Sequence, residues 1–126
     1  MAVTYSLDQG VLVIRAEGVY QPKEVVRAFL DGLADPACPP RVHLLFDVSQ
    51  SKSLATRPAE DIRMVAEFLG PYADRVRSRC AVVAPSDVMF GLSQIGAVTS
   101  LAVGIDTRVF RDAETARAWL TEIPAD

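Results

Sequence analysis

The sequence predicts an α/β domain: a five-stranded, mostly parallel mixed sheet with four helices in the order ββαβαβαβα. Three observations predict it. Two short segments flank the turn Asp8-Gln9-Gly10 and read as an N-terminal β-hairpin. Two apolar runs, "RVHLLFDV" and "SRCAVVAP", read as strands, the first with both faces at least partly covered. Between and after them lie longer segments with apolar residues at helical spacing. With 126 residues, half of them apolar, the chain is read as one domain spanning 1–126, and a domain of that size buries about two-thirds of its unfolded surface.

The hairpin pairs Val3–Leu7, which alternates with period two, with Val11–Gly18. "QPKEVVRAFLDGLADP" follows as a helix. Pro22 suits the first helical position, Glu24 favours the positive end of the dipole, and Val25, Phe29, Leu30 and Leu33 share a face. Pro36, Pro39 and Pro40 end it. The third strand is Arg41–Val48, and a second helix runs from Pro58 to about Ala73 with Ile62, Val65, Ala66 and Leu69 inward. Ser78–Pro85 is the fourth strand. Ser86 and Asp87 cap a third helix, Val88 to about Val103, whose apolar stripe (Met89, Phe90, Leu92, Ile95, Val98, Leu101) reads as core. Small residues there, Gly91, Gly96 and Ala97, would open a dimer face. Thr107–Phe110 is a short fifth strand, and Asp112 caps a last helix carrying Ala116, Trp119 and Leu120.

Several function classes lose support. The net charge of −3 argues against a nucleic-acid binder, which needs a basic face. No apolar run approaches the roughly 20 residues of a membrane span. The start, "MAVTYSLDQG", has neither region of a signal peptide, so a cytoplasmic location is expected. Cys38 and Cys80 form no CxxC pair, and with one histidine they supply no metal-ligand set. GxSxG, GxGxxG and GxxxxGK[ST] are absent. His43 shares a strand face with Asp47, yet four residues of strand put them roughly 13 Å apart, too far for a base and its orienter. "RVRSR" (75–79) reads as a solvated strand entry. No enzyme, metal or cofactor is expected.

In parallel sheets, ligands favour the loops at the carboxyl ends of the strands. Three loops lie there: 48–57, 85–87 and 110–112. The longest carries "DVSQSKS", with Asp47, Ser49, Ser51, Lys52 and Ser53, and runs on to Arg57. Together with the element order, Asp47-Val48-Ser49 at a strand end resembles the STAS domain of SpoIIAA, an anti-sigma-factor antagonist. Within it the tail "RVFRDAETARAWL" resembles a bacterial SpoIIAA-like subgroup related in fold to CRAL-TRIO lipid-binding domains.

That resemblance implies a non-catalytic regulatory or protein-interaction module, with Ser53 at the position phosphorylated by a partner kinase. Lys52 then stands where the motif has aspartate, and Leu54 and Ala55 where it has a small residue and glycine. A phosphate on Ser53 would sit beside a helix N-terminus, with Lys52 and Arg57 within reach. The plainer reading makes Ser49, Ser51 and Ser53 turn and cap formers. Arg57, Ser86, Asp87 and Phe90 are the residues expected to face a ligand or partner. The alternative function is binding of a small apolar ligand or lipid, as in CRAL-TRIO-like folds. A homodimer is also expected, since a mixed sheet has edges to cover.

Overall fold

The structure, a computed structural model, describes residues 2–122. Its elements are β1 (Val3–Asp8), β2 (Val11–Gly18), α1 (Pro22–Ala34), β3 (His43–Ser51), α2 (Ala59–Phe68), β4 (Arg79–Val83), α3 (Asp87–Ala102), β5 (Asp106–Phe110) and α4 (Ala113–Leu120). The five strands lie side by side in chain order, with β1 antiparallel to β2 and every later pair parallel. The hairpin turn is Gln9-Gly10, with φ of 51° and 80°. Two left-handed residues in succession match the twist of the flanking strands.

Chain order in the sheet dictates the layers. Right-handed crossovers stepping in one direction across a sheet all put their helices on the same face. Accordingly α1, α2 and α3 cover one face, over a core that includes Leu12, Ile14, Phe29, Leu44 and Cys80. Only α4, which follows the last strand, returns to the other face, where Ala116, Trp119 and Leu120 cover Val13, Leu45, Ala81 and Val83. Strand order never reverses, so the crevice between diverging crossovers that gives doubly wound folds their ligand site does not form. Any pocket must instead lie between the helical layer and the sheet.

Three elements depart from expectation. β3 starts at His43 and continues to Ser51, so the first four residues of the expected 48–57 loop are strand. α2 stops at Phe68, because Pro71 cannot donate to a continuing helix. A 3₁₀ turn, Gly70–Tyr72, takes its place. The 75–79 stretch is not a solvated strand entry. Arg77 and Ser78 adopt left-handed backbone, with φ of 60° and 56°, Arg77 is buried, and β4 begins only at Arg79.

The largest correction concerns α3. Its inward residues are Ser93, Ala97 and Ser100, while Val98 and Leu101 are 72% and 65% exposed. Of the apolar stripe expected in the core, Val98 and Leu101 face outward, and Met89, Phe90, Leu92 and Ile95 are only partly buried. Of the small residues, Gly91 is exposed, whereas Gly96 and Ala97 line the space between α3, α2 and the sheet.

Candidate functional site

Small residues on the inner face of α3 keep that helix close to α2 without filling the volume beneath. A Cβ built on Gly96 would already stand 3.4 Å from Ile62 Cγ2. The result is a partly open cavity of about 130 Å³ between α2, α3 and strands β3 to β5. Its walls are mainly apolar: Phe46, Val48, Val65, Leu69 and Val82 from the sheet and α2, with Ser93 and Ala97 opposite. Tyr20, Leu54, Arg57 and Asp61 line it towards the carboxyl ends of the strands, and Cys80, Ser100 and Thr107 line it towards the amino ends.

Polar groups on these walls fall into two sets. Ser100 Oγ donates to Gly96 O at 2.8 Å, inside its own helix. By contrast, Thr107 Oγ1 is buried and has no hydrogen-bond partner among the described residues. It lies close enough to Cys80 to favour the thiolate slightly, but burial dominates and holds that thiol protonated, far above its ordinary range. Cys80 is therefore wall, not nucleophile.

At the carboxyl end, the Arg57 guanidinium donates from Nη1 to Asp61 Oδ2 at 3.4 Å and from Nη2 to Tyr20 O. Arg57 Nε is buried and has no acceptor among the described residues. Arg57, Asp61, Tyr20 and the cavity thus form one unit.

The serine segment splits into two halves. Between Asp47 and Gln50, β3 carries one residue more than β2 does between Arg15 and Glu17, a β-bulge that shifts the register. On the near side, Asp47 sits 3.5 Å from Arg15 Nε and accepts from Ser49 N at 2.9 Å and Ser49 Oγ at 2.6 Å. That is a local turn bond on the α4 side of the sheet.

On the far side, Ser51 Oγ donates to Tyr20 Oη at 3.0 Å and accepts from Leu54 N at 3.1 Å. Ser53 is 7% exposed, and its Oγ accepts from Tyr20 N at 3.4 Å. Lys52 N donates to Gly18 O, while its side chain is exposed. The five residues expected to form one regulatory loop therefore do not converge. Ser51 and Ser53 tie the segment to Tyr20, and a phosphate on Ser53 would require that turn to open.

Ser86, Asp87 and Phe90 form a separate group. Ser86 Oγ caps α3 by accepting from Met89 N at 3.1 Å. Arg111 donates to Asp87 Oδ1 at 2.8 Å and to Pro85 O at 3.0 Å, and its guanidinium lies 4.3 Å from the Phe90 ring centroid. Sequence reasoning missed Asp61, Thr107, Arg111 and Tyr20. The last two had a positional signal. Arg111 lies in the 110–112 loop, and Tyr20 follows the carboxyl end of β2, a fourth parallel strand end that was left out.

His43 is 3% exposed on the α4 side of the sheet, so it does not meet this cavity. Burial, with the charges of Arg77 and Arg79, holds its pKa below the usual imidazole value, and its Nδ1 has no partner among the described residues. No group of His, Cys, Asp or Glu suited to a metal occurs among the described residues, and no helix there is long and apolar enough to cross a membrane.

The fold has relatives. A crystal structure of an uncharacterized DUF3478-family protein with a SpoIIAA-like fold, from Shewanella loihica PV-4, is 19% identical with a TM-score of 0.57. The match covers 94% of this chain and 92% of that one, and at such identity it speaks to the fold alone. No curated protein matches the chain. A family model described as SpoIIAA-like matches residues 11–121, from the start of β2 to the end of α4, and the chain belongs to that family.

Proposed function

We propose that this SpoIIAA-like domain is a non-catalytic binding module that holds a small apolar ligand in the cavity under α2 and α3. The cavity carries this reading. It is close in size to an engineered cavity of about 150 Å³ that takes up benzene, and its lining is similarly apolar. A core selected only for stability would close such a space, because each missing contact weakens packing. The test uses benzene titrated into the protein and followed by amide shifts. Saturable shifts at Val82, Ala97 and Ser100, abolished in a folded Ala97→Leu variant, are expected. No saturable shift in the wild type would sink the reading.

A second reading, a regulatory module acting by protein contact, draws support from the outward apolar residues of α3, Val88, Val98 and Leu101. Such residues suit a partner surface or a homodimer contact. The group Ser86, Asp87, Phe90 and Arg111 lies at the N-terminal end of the same helix. Ser53, with Lys52 beside it, is the proposed switch. Phosphorylation would break the Ser53–Tyr20 bond and release the segment that lines the cavity. Light scattering of the wild type and Val98→Glu at high concentration tests the self-association. A monomer in both cases removes the homodimer.

A further inference from the structure

We infer that the ligand of the α2–α3 cavity is an uncharged molecule carrying a hydrogen-bond acceptor, which Arg57 Nε–H holds at the carboxyl end. The inference rests on the cavity reading above and adds the chemical class. Arg57 spends one donor on Asp61 and one on Tyr20 O, which leaves Nε buried without an acceptor among the described residues. An unfilled donor on a buried charged group is costly, and an acceptor delivered by a ligand would relieve that cost. The charge of the guanidinium is already matched by Asp61, 3.4 Å away.

A carboxylate brought to the same place would leave one net negative charge against apolar walls, which is unfavourable. A carbonyl or ether oxygen supplies the acceptor without that charge. The apolar body would then extend along Val65 and Val82 towards Thr107. With about 130 Å³ available, the ligand is a small ring or a short chain, not a long acyl lipid.

Three probes of one size separate the possibilities: cyclopentanone, its hydrocarbon isostere methylenecyclopentane, and cyclopropanecarboxylate. Dissociation constants come from saturation of amide shifts in the full chain. The ketone is expected to bind about tenfold more tightly than the hydrocarbon, the worth of one hydrogen bond to a charged donor, and the carboxylate more weakly than either. Arg57→Lys, which keeps a cation beside Asp61, should erase the ketone's advantage, while Thr107→Val should leave it.

Equal binding of ketone and hydrocarbon would overturn the inference and leave the cavity reading standing. Tightest binding by the carboxylate would overturn the assignment of an uncharged ligand. An advantage lost in Thr107→Val but kept in Arg57→Lys would overturn the assignment to Arg57. Binding of none of the three would remove both readings.

Discussion

Single residues show where sequence and structure part. Ser53 is legible as a serine near a strand end, but its burial and its bond to Tyr20 N depend on an aromatic residue 33 positions earlier. No local pattern encodes that pairing. It yields a prediction: Ser53→Ala should lower unfolding free energy by about 1 kcal/mol, since it leaves the Tyr20 N–H without its acceptor. Ser53→Asp should cost more, because it buries a charge, and urea unfolding of both variants checks the order.

His43 gives a pH signature. Its folded-state pKa lies below the unfolded value of 6.5, so the unfolded chain binds the proton first as pH falls. Stability is thus expected to drop from about pH 6.5 down to the lowered folded-state pKa, and to be unaffected by this group above that window. His43→Asn should show a smaller loss between pH 7.5 and 5. Asp35 and Asp112, both held below the ordinary carboxylate range by hydrogen bonds, act alike in the two proteins and cancel in the comparison. Identical pH slopes for wild type and variant would rule out the His43 contribution.

Elements were mostly legible, because capping and periodicity are local. Ser86 and Asp112 do cap α3 and α4, with bonds of 3.1 and 2.8 Å from Met89 N and Thr115 N. The face of α3 was not legible. Nearly every position of that helix is small or apolar, so the pattern does not decide which of its faces points inward. What decides the orientation is the available distance. Ser93, Gly96, Ala97 and Ser100 stand where α3 meets α2 and the sheet, which leaves Val98 and Leu101 on the outside.

The consequence can be measured. Val98→Lys and Leu101→Lys should each change unfolding free energy by no more than about 0.5 kcal/mol, as expected of exposed positions. Ala97→Lys should destabilise by several times that amount. Had the sequence-based orientation been right, the ranking would reverse. Thermal melts of the three variants decide it.

At the scale of the whole molecule, the strand order explains both what is stable and what is open. Neighbouring strands are neighbours in sequence, so the mixed sheet and its hairpin followed from the order of elements alone. The cavity did not follow from it, because its existence depends on volumes contributed jointly by α2, α3 and strands β3 to β5. Among the described residues, the same topology leaves the second face of the sheet with a single eight-residue helix as cover.

In α4, Ala116 and Leu120 are fully buried, and the Trp119 ring lies between Phe110, at 5.7 Å between centroids, and the guanidinium of Arg79, at 4.6 Å. So short a helix is not stable by itself, and it stays folded only by docking on Leu45, Ala81 and Val83. Leu120→Ala should therefore do two things at once. It should cost about 2–5 kcal/mol as a buried large-to-small change, and it should loosen the helix that covers the sheet. Hydrogen exchange is expected to show α4 amides opening well before those of β2 and β3 in the variant. The α2–α3 cavity lies on the opposite face, so benzene shifts at Val82 and Ala97 should persist while the variant remains folded. Loss of those shifts together with α4 protection would mean that the two faces form one cooperative unit, against the layered arrangement described for this fold.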